Sequence, residues 1–180
     1  KIFRWFIVVL YRKLISRTIC SWKGIQRLVV VKTIINVGSF TDEGHYKDLY
    51  FGELLDYLRE CKKEFCVVGN IPNGYAKVAK LLATNKSVRV SSIEQLLSFA
   101  DVLDCFLRAI LTLIRWVFFP VIKVPPFRFQ NMQNVVQNSV TEELLSNQYA
   151  ISLMNARATQ NLIEWNDVER CILPFENRGW

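Results

Sequence analysis

The sequence has few of the residues and motifs from which common catalytic and metal sites are built. It contains one histidine and five cysteines in 180 residues, and no two cysteines form a C-x-x-C pair. We therefore expect no metal site and no disulfide framework, but reduced thiols in a cytoplasmic protein. The G-x-S-x-G turn and the glycine-rich loops G-x-G-x-x-G and G-x-x-x-x-G-K-[ST] are also missing. These absences disfavour an autonomous NAD, FAD or ATP site, and no cofactor is expected in this chain.

The sequence also lacks a convincing membrane-spanning segment. The uninterrupted apolar run from Trp5 to Tyr11 is far shorter than the ~20 residues that a spanning helix needs. No small-residue cleavage site follows it, as a signal peptide would require. A second apolar segment, residues 106–124, carries three cations and is interrupted by Pro120. Two interpretations stay open for each segment: a helix at a membrane surface, or an ordinary packed element.

What the sequence does have is an excess of positive charge, +7 in total. Such an excess predicts an anionic partner, which can be a phosphate-bearing substrate, acidic lipid headgroups or nucleic acid. Many of the cations lie near the N-terminus among bulky apolar residues: Lys1, Arg4, Arg12, Lys13, Arg17, Lys23, Arg27 and Lys32. This mixture favours an anionic membrane surface. We expect no nucleic-acid partner, because no basic and aromatic recognition motif is present.

Alternating apolar strands and amphipathic helices predict an α/β fold, with a Rossmann-like parallel sheet flanked by helices and right-handed crossovers. Strands are predicted at residues 28–37, 65–68, 88–90 and 168–173. Helices are predicted at residues 46–63, 75–83, 93–102, 106–124 and 141–164, and a loop at 127–139. We assign residues 1–24 to a basic apolar segment, 25–174 to the main domain and 175–180 to the start of a hinge. The chain begins with Lys1, and we expect it to be part of a longer protein.

The polar loop after the first strand is the candidate site, because α/β proteins bind ligands at the carboxyl ends of parallel strands. Its hydrogen-bonding residues are Ser39, Thr41, Asp42, Glu43, His45 and Asp48. Asp48 can accept a proton from a substrate hydroxyl, or it can cap the following helix, and both interpretations stay open. His45 is explained more simply as a turn residue than as a catalytic one, and we keep it as a substrate-binding candidate.

Two separated segments of the sequence carry a resemblance to a known family. They are YKDLYFGELLDYL at residues 46–58 and ILPFENRGW at residues 172–180. The first looks like a segment of bacterial glycosyltransferases that build surface polysaccharide. The second is similar to the Pro-Phe-Glu-Asn-x-x-Trp stretch by which that group passes from its first half into its second. Gly179 differs from the family, in which many members have proline at this position.

The resemblance implies the N-terminal, acceptor-side half of a glycosyltransferase of GT-B type, which has two Rossmann-like domains and a cleft between them. It implies that Asp48 activates the acceptor hydroxyl, that Tyr50 and Gly52 bind substrate, and that Glu176 and Asn177 orient the substrate or the hinge. The implied partners are a lipid-linked or growing glycan and, through a C-terminal domain missing from this chain, a nucleotide sugar.

Two further expectations follow from this resemblance. The protein should work at the cytoplasmic face of a bacterial membrane, near an anionic surface. This chain alone should be inactive, because its donor-binding half is missing. The alternative is a non-catalytic, membrane-associated binding module of a polysaccharide assembly system.

Overall fold

A four-stranded, all-parallel sheet organises the chain. A computed structural model describes residues 2–16, 23–85, 87–119 and 133–173. The strands are β1 (Leu28–Ile34), β2 (Phe65–Asn70), β3 (Val90–Ser92) and β4 (Val168–Ile172). They lie in the order β3-β2-β1-β4, and each neighbouring pair is parallel. The prediction of an α/β fold with a Rossmann-like parallel sheet flanked by helices is confirmed.

The strand order reverses beside β1. From β1 the chain goes to β2 and β3 on one side and returns to form β4 on the other side, so that Val31 pairs with Val67 of β2 and Ile172 of β4. In open parallel sheets such a reversal lies next to the ligand site, beyond the carboxyl ends of the strands. Residues 174–180 follow β4 but lie outside the described residues, and with them the predicted site residues Glu176 and Asn177.

Six helices and two short 3-10 turns complete the described part of the chain. The helices are α1 (Ile2–Ile15), α2 (Leu54–Glu60), α3 (Tyr75–Thr84), α4 (Phe99–Phe118), α5 (Gln133–Leu145) and α6 (Gln148–Trp165). The 3-10 turns are Val37–Ser39 and Ile93–Leu96. Strands β1, β2 and β4 and helix α3 lie where the sequence predicts them, whereas β3 begins two residues later than predicted.

Helix α2 is much shorter than the helix predicted over residues 46–63. It begins at Leu54, because Asp48 accepts hydrogen bonds from the backbone N–H groups of Tyr50 and Phe51 and holds these residues in a turn. Leu49, which lies within the predicted helix, is 56% exposed. The helical periodicity of this segment is therefore overridden by one side chain.

Helix α4 replaces the separate helices predicted over residues 93–102 and 106–124. Ser98 caps it: the Ser98 Oγ accepts from the Asp101 N–H at 3.0 Å, and the Asp101 carboxylate accepts from the Ser98 N–H at 2.8 Å. Residues 120–124 of the predicted helix lie outside the described residues. The loop predicted over 127–139 is helical from Gln133 onwards, in α5.

The chain divides into two compact units. One comprises Arg12–Leu97 and Ala158–Trp180 and contains the sheet. Its core lies between one face of the sheet and helices α2 and α3, and includes Val29, Val31, Ile35, Leu55, Leu58, Val67, Val78 and Leu82. On the opposite face, Lys32 of β1 donates a hydrogen bond to Thr159 of α6 at 2.8 Å.

The other unit is helical and comprises Lys1–Tyr11 and Ser98–Arg157. Its small core consists of Ile2, Phe106, Ala109 and Ala150. The ring of Phe6 stacks on that of Phe106, with 3.9 Å between the ring centroids. The domain ranges 1–24, 25–174 and 175–180 stay predictions.

Candidate functional site

The carboxyl ends of β1, β2 and β3 bring three connecting segments to one edge of the sheet. The segment after β1 begins with the 3-10 turn Val37–Ser39, the segment after β2 leads through Gly74 into α3, and β3 runs directly into the turn Ile93–Leu96. The first two segments are neighbours, since a Cβ atom on Gly74 would lie 3.8 Å from Val37 Cγ2. Because parallel strands end on the same side, this edge is the candidate site.

A small hairpin after β1 exposes two of the predicted binding residues. Phe40 and Tyr46 form an antiparallel bridge, and their rings pack edge to face at 5.5 Å. The Thr41 N–H donates to the His45 carbonyl at 2.9 Å, and the Thr41 Oγ1 accepts from the His45 N–H at 3.2 Å. Gly44 has the positive φ of +79° that the turn needs. The side chains of Thr41 and His45 are exposed and can reach a ligand.

Of the other predicted binding residues, the three that the structure describes divide into one that is buried and two that are exposed. Ser39 is fully buried; its Oγ accepts from the Asn36 N–H at 3.3 Å and its carbonyl accepts from the Lys47 N–H at 2.8 Å. Ser39 therefore holds the loop in shape. Tyr50 is 55% exposed, and Gly52 is exposed with a φ of +46°. The turn thus presents the Tyr50 ring to solvent.

Asp48, the predicted catalytic carboxylate, is only 2% exposed. Its Oδ1 accepts from the backbone N–H groups of Tyr50 and Phe51, both at 2.8 Å, and its Oδ2 accepts from the Tyr46 hydroxyl at 2.7 Å. A general base has to come within hydrogen-bond reach of the proton that it removes. Because both Asp48 oxygens are already engaged below the surface, the geometry favours a structural role. Asp48 fastens the turn before α2 and does not cap this helix, whose N-cap is Glu53. The catalytic role stays a prediction.

A second group of polar side chains lies where β3 ends, around Glu94. This side chain is 7% exposed, and its Oε1 accepts from Arg12 Nη1 at 3.3 Å. The Glu94 carbonyl accepts from Lys13 Nζ at 3.1 Å, and Lys13 is 4% exposed. Glu94 Oε2 is buried and has no hydrogen-bond partner within the described part of the chain. The Glu94 carboxylate is thus paired with Arg12 through one oxygen, while its other oxygen is unsatisfied by the described residues.

Tyr75, the first residue of α3, fixes the position of Arg12 in this group. The Arg12 guanidinium lies over the Tyr75 ring, 5.0 Å from its centroid, and donates to the Pro72 carbonyl at 3.4 Å. The hydroxyl groups of Tyr75 and Ser92 lie 3.1 Å apart. We call Arg12, Lys13, Tyr75, Ser92 and Glu94 the β3-end cluster.

Sequence reasoning missed the β3-end cluster, because its members come from distant parts of the chain. Arg12 and Glu94 are 82 positions apart. The sequence analysis interprets the basic residues near the N-terminus as a surface feature. The available local signal was Ser91, Ser92 and Glu94, which follow the predicted strand 88–90 at the end where ligands bind.

The buried phenols of Tyr46 and Tyr75 make stability depend on pH in alkali. Burial, followed by the nearby carboxylates, raises the pKa of Tyr46 above its usual value and the pKa of Tyr75 to about 12. Below pH ~10 each phenol is protonated in both the folded and the unfolded chain. Above pH ~10 the phenols ionise in the unfolded chain but stay protonated in the folded one. The free energy of unfolding should fall by about 1.4 kcal/mol per pH unit for each phenol, for Tyr75 until about pH 12.

Urea unfolding between about pH 9 and pH 11.5 measures this fall. Tyr46→Phe should make it shallower, whereas Tyr50→Phe, at an exposed phenol, should leave it unchanged. Equal slopes for the two variants would contradict the buried, protonated state of Tyr46.

The edge of the sheet at the carboxyl ends of β1, β2 and β3 carries hydroxyl, carboxylate, guanidinium and aromatic groups. These groups can bind a polar ligand. Among the described residues, no three His, Cys, Asp or Glu side chains come together in a way that could hold a metal ion. No family model, curated protein or solved structure matches the chain. The fold and the edge therefore define a parallel α/β domain with a candidate ligand site at the carboxyl ends of its strands.

Proposed function

We propose that the chain is the N-terminal, acceptor-side part of a glycosyltransferase that moves a sugar from a nucleotide sugar to a lipid-linked or growing surface glycan. The observation that carries the proposal is the gathering of polar segments from β1, β2 and β3 at one edge of a parallel sheet. A saccharide needs many donors and acceptors on one surface, and this edge offers both.

The placement of the segment that resembles the glycosyltransferases supports the proposal. Residues 46–58 begin in the hairpin after β1 and include the turn held by Asp48. The exposed Tyr50 ring can lie against the apolar face of a sugar, while Thr41 and His45 offer hydrogen bonds. In this assignment Asp48 keeps these groups in position, and the nucleotide sugar is bound by a domain outside this chain.

A transfer assay on the protein with its donor-binding domain tests the proposal. Labelled nucleotide sugars are incubated with lipid-linked acceptors, and transfer of the labelled sugar is expected for at least one pair. Asp48→Asn should lower turnover without unfolding the protein if Asp48 acts on the acceptor hydroxyl. Unchanged turnover removes Asp48 from the mechanism. The absence of binding to every nucleotide sugar would refute the transferase itself.

An exposed apolar face on α4 favours a second function, that of a membrane-associated binding module. The large apolar residues that are at least 47% exposed on this helix are Phe99, Leu103, Leu107, Leu111, Ile114, Val117 and Phe118. Most follow one another at intervals of three or four residues, so they form a stripe along one face. Arg108 and Arg115 are exposed on the same helix and can reach lipid phosphates. Within the described ranges, no helix is both long and apolar enough to cross a membrane.

Co-sedimentation with vesicles tests the membrane surface. We expect the chain to bind vesicles that contain anionic phospholipid, more weakly as the salt concentration rises. Leu111→Asp should weaken this binding about tenfold or more, because it places a charge in the apolar stripe. Leu49→Asp, at a residue exposed to a similar extent elsewhere, is the matched control and should have no effect. Indifference to anionic vesicles at low salt would show that the stripe does not contact lipid.

A further inference from the structure

The unsatisfied oxygen of Glu94 indicates a binding site in the β3-end cluster. Glu94 Oε2 is buried, and no group in the described ranges donates to it. An unpaired buried acceptor is costly, and a charged one more so. Buried polar groups are nearly always satisfied in native proteins, so the donor that completes this carboxylate lies outside the described residues, and a bound ligand can supply it.

The charges around Glu94 define the chemistry of that donor. A carboxylate oxygen can be satisfied by a cation or by a neutral donor such as a hydroxyl or an N–H group. Arg12 already places a positive charge 3.3 Å from Oε1, and the Lys13 ammonium group lies 3.1 Å from the Glu94 backbone carbonyl. A further cation would be repelled by these two, whereas a neutral hydroxyl can donate to Oε2 without adding charge.

Arg12 lies where a second group of the same ligand can bind. Its guanidinium is held by Glu94, by the Pro72 carbonyl and by the Tyr75 ring. The Arg12 side chain is 23% exposed, and solvent therefore reaches this part of the cluster. Guanidinium N–H groups donate to ligand oxygens in a fixed geometry. A ligand with two neighbouring hydroxyls can thus donate to Glu94 through one and accept from Arg12 through the other.

The remaining members of the cluster keep these two side chains in place before a ligand arrives. The Tyr75 phenol is protonated at neutral pH, and burial raises its pKa further, to about 12. The phenol lies 3.1 Å from the Ser92 hydroxyl, which anchors the ring under Arg12. A preorganised donor and acceptor pair loses little entropy on binding.

We propose that the β3-end cluster is a saccharide-binding site in which Glu94 accepts a hydrogen bond from one sugar hydroxyl and Arg12 donates to the neighbouring one. The choice of a saccharide among hydroxylated ligands rests on the proposed glycosyltransferase function. Glu94 lies at the same edge of the sheet as the loop after β1, because β1 and β3 are parallel to β2 between them. The site therefore adds a contact for the acceptor that the sequence did not indicate.

Titration of the 180-residue chain with monosaccharides tests the site. The probes are D-glucose, D-galactose and N-acetyl-D-glucosamine, each to about 50 mM, followed by amide NMR shifts. At least one sugar should shift the amide signals of Ser92 and Glu94. Glu94→Gln should weaken its binding about tenfold or more, because the amide keeps its oxygen towards Arg12, presents an N–H group to the sugar hydroxyl and loses the charge that strengthens the hydrogen bond. Glu60→Gln, at an exposed residue of α2, is the matched control and should bind like the unchanged chain.

Arg12→Lys provides a second variant if Glu94→Gln does not fold. It keeps the charge but loses the planar fork, and it should also weaken binding. The site is overturned if no probe shifts these signals, or if the Glu94 and Arg12 variants bind as well as the Glu60 control; Oε2 is then satisfied by water or by a residue outside the described ranges. The assay contains no nucleotide sugar, so it separates the two proposals. Sugar binding without transfer would refute the transferase alone, and transfer without this binding would refute the site alone.

Discussion

Gly69→Ala is expected to lower the free energy of unfolding by about 3 kcal/mol, at the upper end of the range for overpacked cores. Gly69 lies in β2 and pairs with Thr33 of β1. A Cβ atom there would lie 2.6 Å from Ile35 Cγ1 and 2.8 Å from the Thr33 carbonyl oxygen. The carbonyl belongs to the backbone of the neighbouring strand, so relief requires the two strands to move apart.

Urea unfolding followed by circular dichroism measures this loss, and Gly38→Ala is the matched control. The same methyl group at Gly38 would meet Asn36 Oδ1 at 3.2 Å and Leu49 Cδ1 at 3.8 Å, and both atoms are on side chains that can move. The control should therefore lose less than about 1 kcal/mol. A Gly69 variant as stable as the control would show that β1 and β2 do not approach so closely.

Gly69 also shows where local sequence reasoning reaches its limit. The pattern predicts that β2 ends at Val68, because glycine and asparagine commonly stop a strand. The structure continues β2 through Gly69 to Asn70, and the glycine is there because the Ile35 side chain leaves no room for a Cβ atom. Glycine at this position thus permits close packing and does not form a turn. Only the contact with the neighbouring strand shows which of these two roles the residue has.

The strands could be predicted from sequence because their signal is local. Continuous apolar runs mark β1 and β2, which are buried on both faces, and their alternation with helices predicts a parallel sheet. The starts of α2 and α4 could not be placed by periodicity. They depend on side chains that hydrogen-bond to the backbone, in one case Asp48 and in the other Ser98 with Asp101.

The candidate site could likewise be predicted from the sequence only in part. The polar loop after β1 could be located, since it follows a buried strand, but the exposure of its members could not: Ser39 is buried whereas Thr41 is exposed. The Arg12–Glu94 pair could not be predicted at all. It joins the end of α1 to the end of β3, and their proximity is a property of the folded chain.

Asp48→Ala is expected to lower the free energy of unfolding by about 3 kcal/mol. The substitution removes the acceptor for the Tyr46 hydroxyl and for the N–H groups of Tyr50 and Phe51, at a position that is 2% exposed. Hydrogen bonds to a carboxylate are individually strong, and their loss leaves the three donors without this acceptor. Asp56→Ala, which removes an exposed carboxylate paired with Arg59 on α2, should cost less than about 1 kcal/mol.

Urea unfolding of the two alanine variants tests the fastening role of Asp48. An Asp48→Ala variant as stable as Asp56→Ala would contradict it. Asp48→Asn should be much milder, with a loss of about 1 kcal/mol. The asparagine Oδ1 can still accept from both backbone N–H groups, and its Nδ2 can donate to the Tyr46 hydroxyl, which then acts as an acceptor.

The asparagine variant separates the catalytic role that the sequence suggested for Asp48 from the fastening role that the structure indicates. A residue that fastens the loop through hydrogen bonds is replaced well by asparagine, so stability and turnover should both survive Asp48→Asn and both be lost in Asp48→Ala. A general base needs a group that can take up a proton, so turnover should be lost in both variants while Asp48→Asn stays folded. Three hydrogen bonds to a buried carboxylate favour the first outcome. If it is found, the proposed transferase must take its catalytic base from a group other than Asp48.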